Sequence, residues 1–272
     1  MKNGVNITGD TVNKGVGTIA TLIYCDDSSI EVITANATLA GFLIVNAKNP
    51  DPPGIGIYCD GTSPRIENNT IASCESAGIW VTGESSPIIK GNIVFNNARK
   101  ITVGGIHMSG TSNGIIEENT ISQNTGGGIM FAWWGDSFTG SPIIRNNTIT
   151  NNCGEVANIV VTGGTPKIRN NQLTLSTGSG VIIYEPGNPD LGTTSDPGGN
   201  YIIGNTMVGL DLYYTGTTVI TIEAVGNTWN PLTQGANISG LYTTSTTTQG
   251  VVALVNGNNY AIYSSYAFIH LK

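Results

Sequence analysis

Charged residues are scarce in this chain, and their scarcity excludes several classes of protein. Only 11% of the 272 residues are Asp, Glu, Lys or Arg, against about 25% in typical globular domains. Few strong helix formers and many β-branched residues argue against a helical bundle, a coiled coil or a doubly wound α/β enzyme. With 11 basic and 18 acidic residues, the net charge is −7, and no basic cluster exists beyond Arg99-Lys100. We therefore expect no nucleic-acid partner, because such binding needs concentrated positive charge.

Long apolar runs and paired cysteines are also missing. No stretch approaches the roughly 18 apolar residues of a membrane span, so we expect no membrane insertion. The four cysteines form no CxxC pair, which gives little support to a zinc site. The start, Met1-Lys2-Asn3-Gly4, has no apolar signal region. It indicates either a cytoplasmic chain or one whose leader has been removed.

The chain is instead rich in glycine, asparagine and threonine (37, 30 and 34 residues), and these occur in a repeat. The segment Pro64–Ile71 reads PRIENNTI. Its copies occupy residues 87–94, 114–121, 142–149 and 166–173, with weaker copies at 202–207 and 224–229. An early copy at 39–44 has Phe42 where the others have asparagine. A fixed motif with a variable spacer is typical of a solenoid with insertions on its rim.

Aligning these copies places one asparagine of each copy in the same frame. Asparagine tolerates the left-handed backbone of a tight corner. Its amide can also donate to the asparagine of one neighbouring coil and accept from the other, which satisfies buried polar groups. We therefore predict a structural ladder made of Asn69, Asn92, Asn119, Asn147, Asn171, Asn205 and Asn227.

A second segment recurs after each asparagine, as in Gly78-Ile79-Trp80-Val81. Its alternation has period two, so it predicts a strand with Ile79 and Val81 facing inward and with Trp80 and Thr82 facing outward. With the strands of the first motif, each coil has three short strands and three turns.

This pattern resembles the right-handed parallel β-helix of the pectate-lyase-like superfamily. More narrowly, it resembles the uncharacterised repeat proteins of secreted bacterial and archaeal β-helices, over about residues 37–230. We therefore predict an all-β, single-stranded right-handed parallel β-helix with three short strands per coil and about nine or ten coils. One domain would span residues 1–272, with atypical coils at 1–36, regular coils at 37–230 and a cap or irregular coil at 231–272. The resemblance also implies an extracellular or cell-surface location, with a leader and earlier coils absent from this sequence.

Aromatic residues on the outward side of the recurring strand suggest a carbohydrate-binding or adhesion-type module. Flat aromatic rings stack on sugars, and successive coils offer a surface suited to a polysaccharide. Trp133 and Trp134 have an alternative role, which is to fold back over an exposed strand, and Tyr58 and Trp80 have the alternative of stacking on each other. The candidate carbohydrate-binding residues are Tyr58, Trp80, His107, Trp133, Trp134, Tyr184 and Tyr213.

Two other functions remain open from the sequence. One is a polysaccharide lyase, or a related carbohydrate-active enzyme, that acts on a uronate-containing glycan, with His107 as a weak candidate base. Cations at Arg99 and Lys100 would hold the uronate, and Asp136 and Glu155 follow on later coils. No catalytic site is firmly predicted, because outward carboxylates are too far apart to cooperate. The other alternative is an architectural spacer, favoured if the aromatic row is packed under loops.

No cofactor is expected, and Ca²⁺ is the one alternative that the residues offer. The loop at residues 188–200 supplies Asp190, Asp196 and several carbonyl oxygens. Ca²⁺ takes such ligands, although the spacing is not that of an EF-hand. A Pro/Gly-rich turn loop is the simpler interpretation. The sequence leaves open the glycan and the oligomeric state.

Overall fold

The computed structural model describes most of the repeat region and isolated strands outside it. The described residues are 6–9, 11–12, 14, 22–24, 30–31, 37–48, 54–99, 103–132, 136–152, 154, 156–213, 221–229, 238–241, 252–255, 262–264 and 268–271. Within these ranges every regular element is a β-strand. The same residues contain no helix long and apolar enough to cross a membrane.

Three parallel sheets run along the molecule, and a small fourth sheet lies near the end of the chain. The first sheet contains Asn6–Thr8, Thr38–Ala40, Arg65–Glu67, Ile88–Lys90, Ile115–Glu117, Ile143–Arg145 and Lys167–Arg169. The second contains Leu22–Tyr24, Leu43–Val45, Thr70–Ala72, Ile93–Phe95, Thr120–Ser122, Thr148–Thr150, Gln172–Thr174, Tyr201–Ile203 and Thr228–Trp229. The third contains Ile30–Glu31, Ile57–Asp60, Ile79–Thr82, Ile106–Met108, Ile129–Phe131, Ala157–Val161, Ser179–Tyr184, Leu210–Tyr213, Ile238–Leu241 and Ile262–Ser264. The fourth contains Thr221–Glu223, Val252–Val255 and Phe268–Leu271.

Each regular coil contributes one strand to each of the first three sheets, so the predicted all-β parallel solenoid with three strands per coil is confirmed. The predicted nine or ten coils are too many. Six consecutive coils, from Thr38 to Tyr184, have the regular three-stranded form. In the next coil, the loop at 188–200 takes the place of a first-sheet strand. Only an isolated bridge between Lys167 and Asp190 continues the pairing there.

The core is a set of aliphatic columns inside the coils. In five successive regular coils the central residue of the first-sheet strand points inward, and in register these residues form a column of fully or almost fully buried isoleucines: Ile66, Ile89, Ile116, Ile144 and Ile168. Burying one such side chain stabilises the fold by about 1.5–3 kcal/mol. Because each coil is too small to bury its own apolar face, this stabilisation depends on stacking.

A buried ladder of asparagines runs along the corner between the first and second sheets. Each Nδ2 donates to Oδ1 of the next asparagine at 2.8–3.1 Å. That oxygen also accepts the backbone N–H of the same donor residue. At the start, the backbone N–H of Phe42 donates to Asn69 Oδ1 at 3.0 Å. The members are Asn69, Asn92, Asn119, Asn147, Asn171, Asn200 and Asn227.

The prediction of Asn205 as a member of this ladder is wrong, because Asn200 occupies that position. The strand Tyr201–Ile203 pairs with Gln172–Thr174, so the residue before it aligns with Asn171. The insertion at 188–200 removes the usual motif ahead of the asparagine, and the remaining Ile-Ile-Gly-Asn belongs to the second-sheet strand Tyr201–Ile203 and the turn after it. With Asn200, the two steps become 29 and 27 residues, which are close to the other steps of the ladder.

A second ladder, which is not among the features predicted from the sequence, lies at the corner between the second and third sheets. Its amides are linked in sequence by Nδ2 to Oδ1 hydrogen bonds of 3.0–3.1 Å. Its members are Asn97, Asn124, Asn152, Asn158 and Asn205. A signal was present in the sequence, since most members lie five residues after an asparagine of the first ladder.

Glycines make room for this second ladder. The residue before the first core side chain of a third-sheet strand is Gly78, Gly105, Gly128 or Gly180 in four coils. A Cβ there would lie only 2.5–3.0 Å from a ladder amide, too close for any side chain. Each of these glycines faces the ladder residue of the next coil. At one place the glycine position of a coil is Asn158, and the ladder position of the next coil is Ser176. Since serine leaves space, Asn158 reaches into the ladder and supplies the missing amide.

Candidate functional site

The outward row of the third sheet is the candidate functional surface. Strand register places its residues side by side on successive coils. The row reads Tyr58, Trp80, His107, Met130, Val160, Ile182 and Asp211. A second outward row beside it includes Asp60, Thr82, Tyr184 and Tyr213.

The middle of this row is buried, so its described residues do not form a continuous aromatic surface. Met130, Val160 and Ile182 are at most 3% exposed and cluster with Ala157. Outward orientation from a strand therefore does not mean contact with solvent in these coils. The exposed aromatic groups are confined to the two ends of the described row, which are separated by several coils.

At one end, Trp80 lies in a polar and aromatic patch. Its indole Nε1 donates to Ser109 Oγ at 3.3 Å, and that hydroxyl donates to Thr82 Oγ1 at 2.9 Å. Tyr58 and Asp60 lie next to it on the adjoining strand, the first partly exposed and the second exposed. We call these five residues the Trp80 patch. A fixed, partly exposed indole beside hydroxyl and carboxylate groups is an arrangement that suits a sugar ring.

Apolar side chains fix the same indole from within. Trp80 packs against Ala77, Ala98 and Val103. Together with the hydrogen bond to Ser109, this packing fixes one orientation of the ring. A ring already held in place loses little entropy when a ligand stacks on it.

His107 is not the exposed histidine that the sequence suggests. It is completely buried, and its ring meets the Trp80 ring edge-on with centroids 4.4 Å apart. Neither ring nitrogen has a hydrogen-bond partner among the described residues. Burial lowers the pKa of His107 to about 4, so the imidazole is neutral at pH 7. It therefore neither reaches a sugar nor acts as a surface base, and its placement among the carbohydrate-contacting residues is wrong.

Two other residues of the suggested catalytic group, Arg99 and Asp136, are described by the structure. Arg99 and Asp136 are exposed, and neither forms an ion pair with His107 in the described part of the chain. Lys100 and Glu155 lie outside the described residues.

At the other end of the row, Tyr184 and Tyr213 form a stacked pair with centroids 4.9 Å apart and planes at 18°. Beneath them, Asp211 accepts hydrogen bonds from Tyr213 Oη at 3.2 Å and Ser179 Oγ at 3.4 Å. Burial raises the pKa of Asp211. Burial and the charge of Asp211 raise the pKa of Tyr213 to about 12. Because each ring covers one face of the other, this pair is less open to a sugar than Trp80.

Trp133 and Trp134, the other predicted carbohydrate-binding residues, lie outside the described residues. Whether they extend the aromatic surface stays a prediction.

The loop acids suggested for Ca²⁺ are engaged with basic side chains. The guanidinium of Arg169, which is almost fully buried, donates to Asp190 at 2.6 Å and to Asp196 at 3.1 Å. Lys167 pairs with Asp196 at 2.5 Å, and these cations lower the pKa of Asp196. A cleft of about 290 Å³ lined by Asn188, Pro189, Asp190 and Glu223 lies beside this loop. Among the described residues, no group of three or more His, Cys, Asp or Glu could hold a metal ion.

Comparison with known proteins agrees with this architecture. Residues 23–229 match the family model described as "Right handed beta helix region", and the chain belongs to this family. The structure of the Streptococcus pneumoniae surface protein and adhesin PfbA is similar to it at 12% identity and a TM-score of 0.44. That match covers 94% of this chain and 90% of the other. A likeness this low says nothing about function. No curated protein sequence matches the chain.

Proposed function

We propose that this chain is a carbohydrate-binding module of the adhesion type, located outside the cell or at its surface, with the Trp80 patch as its contact surface. The observation that carries the proposal is the indole of Trp80, which is partly exposed and fixed in one orientation by Ser109. An aromatic ring on a rigid strand offers an apolar face, and the adjoining Asp60 offers a hydrogen-bond acceptor for sugar hydroxyls.

The buried middle of the row sets the size of this surface. Because His107, Ser109 and Met130 are all withdrawn from solvent, the exposed part of the patch is confined to the strands of Tyr58 and Trp80. Neighbouring strands are about 4.8 Å apart, so this exposed part covers one strand spacing. A surface of this size suits one sugar unit of a glycan.

An architectural spacer is the second candidate, because the aliphatic cluster around Val160 uses the outward face for packing. A uronate lyase is not proposed, since the one candidate base, His107, is buried and neutral.

The test is retention of the full chain on insoluble polysaccharides and on a glycan array, at pH 7. We expect Trp80→Ala to weaken binding about tenfold or more, which corresponds to about 1.4 kcal/mol. Phe95→Ala is the matched control, because Phe95 is also a partly exposed outward aromatic residue but lies on the second sheet. It should bind as the wild type does.

Two outcomes would contradict the proposal. Equal retention of the wild type and Trp80→Ala would remove Trp80 from the contact surface. Absence of binding to every glycan tested would favour the spacer. Circular dichroism and melting curves check that each variant is folded, because Trp80 also packs against Val103.

A further inference from the structure

His107 is an anomaly among the buried polar groups of the molecule. Native structures give nearly all buried polar atoms a hydrogen-bond partner, so an exception calls for a reason. Among the described side chains, the buried atoms without a partner are Thr70 Oγ1, Ser76 Oγ, Trp229 Nε1 and both ring nitrogens of His107. His107 is the one titratable residue in this set, and it contacts the central residue of the Trp80 patch.

No charged group faces His107 from the two strands packed against it. On one side its neighbour in the row is Trp80 and on the other it is Met130, and neither strand carries an ionisable residue. Tyr58 and Asp60 are two strands away. The exposed Arg99 and Asp136 lie in the segments before and after. The imidazole therefore has no described carboxylate nearby that would stabilise a positive charge.

We propose that His107 is an acid-sensitive latch, whose protonation drives the ring out toward water, displaces Trp80 and releases the bound glycan. This inference rests on the proposed function, because the released ligand is the glycan bound by the Trp80 patch. The physical step is simple. A buried imidazolium with no partner costs far more than a neutral ring, so a charged His107 favours any local opening that hydrates it.

The direction and range of the response follow from burial. In the closed state, burial lowers the pKa of His107 to about 4 from its ordinary 6.5. An opened state, with the ring in water, takes up the proton at the ordinary value. Opening is therefore unaffected above about pH 6.5 and becomes progressively more favourable as the pH falls toward 4. At pH 5, proton uptake favours the open state about 20-fold relative to pH 7.

The first readout needs no glycan. The indole N–H resonance of Trp80, identified by its loss in Trp80→Phe, reports the hydrogen bond to Ser109. We expect it to shift or broaden between pH 6.5 and 4 in the wild type. The shift should be absent in His107→Met, which puts an apolar side chain of similar size in place of the imidazole. It should also be absent in His107→Gln, whose side chain is polar but does not titrate. An unchanged resonance in the wild type, or the same shift in His107→Met, would overturn the latch.

The second readout is the ratio of glycan affinity at pH 7 to that at pH 5, taken within each variant. We expect this ratio to be well above one in the wild type and close to one in His107→Met. Asp60→Asn is the matched control, since Asp60 is the exposed carboxylate of the patch, and its ratio should remain like that of the wild type. If the affinity ratio falls to one in Asp60→Asn and remains high in His107→Met, the pH response belongs to Asp60 and the latch is contradicted. Failure to bind glycan at pH 7 contradicts the proposed function, whereas the indole readout tests the latch independently.

Discussion

The asparagine corner and the outward face of the third sheet both bury polar side chains, but they treat them in opposite ways. Asn119 donates to Ile89 O and to Asn147 Oδ1, and its own Oδ1 accepts two hydrogen bonds from Asn92. His107, buried to the same degree, has no hydrogen bond among the described residues. The ladder residue therefore contributes to stability, whereas the histidine lowers it. Local departures from good packing are expected at functional sites rather than in the supporting scaffold.

The largest effect on stability should come from removing one asparagine of the hydrogen-bonded ladder. We expect Asn119→Ala to lower the free energy of unfolding by about 3–5 kcal/mol, because each buried group left without a partner costs about 1–3 kcal/mol. The groups affected are Ile89 O and the N–H and Nδ2 of Asn92. Urea denaturation followed by circular dichroism measures the change.

The control for this substitution is Asn188→Ala, because Asn188 is exposed in the loop after the last regular coil. It should change stability by no more than about 0.5 kcal/mol. A loss below about 1 kcal/mol in Asn119→Ala would mean that the ladder is a consequence of stacking and not one of its causes.

A smaller effect on stability should come from replacing His107, the buried side chain without hydrogen bonds. Burial lowers the pKa of His107 to about 4, while the unfolded chain has the ordinary 6.5. Below pH 6.5 the unfolded state binds more protons, so this residue lowers stability as the pH falls, and its effect is complete below about 4. The difference amounts to about 3 kcal/mol. His107→Met should remove this loss, so that the variant is more stable than the wild type by about that amount at pH 3.5.

Parallel measurements at pH 7, 5 and 3.5 isolate the contribution of His107 from that of the carboxylates, which titrate in both proteins. At pH 7 the two proteins should differ little, or the variant should be slightly more stable, because an apolar group replaces an unsatisfied polar one. Curves that remain parallel over the whole pH range would show that His107 is hydrated in the native state.

The sequence correctly predicted the features that depend on the alternation of neighbouring residues in a strand. It did not predict the features that depend on contacts with distant segments of the chain. The alternation in Ile79–Thr82 correctly placed Ile79 and Val81 in the core, because period two is a property of any strand. Burial of His107 was not predictable in this way, since the groups that exclude water from a strand's outer face come from elsewhere in the chain. Asn205 was misplaced because the insertion at 188–200 breaks the frame on which the alignment depended.

The smallest expected effect concerns two successive coils, where Asn158 stands at the glycine position of one and Ser176 at the ladder position of the next. We expect Asn158→Gly to destabilise the fold by about 1–3 kcal/mol, because one of the two Nδ2 hydrogens of Asn152 loses its acceptor, while the other still has Ile121 O. Ser176→Asn alone should also destabilise, because its amide and that of Asn158 compete for one place in the ladder. The double variant restores the arrangement of the neighbouring coils and should recover most of the stability. The coupling energy of this double-mutant cycle should be about 1–2 kcal/mol in favour of the pair.

This cycle separates two explanations of the second ladder. If the ladder requires an amide at each step regardless of which coil supplies it, the double variant and the wild type have similar midpoints of urea denaturation. If Asn158 matters for another reason, such as its hydrogen bond to Thr174 O at 3.1 Å, the two single effects add and no recovery occurs. Recovery would establish that a glycine beside each ladder asparagine, as at Gly128 beside Asn152, is required by the space that the amide occupies. The exchange at Asn158 and Ser176 is then a compensated pair, in which each residue is tolerated because of the other.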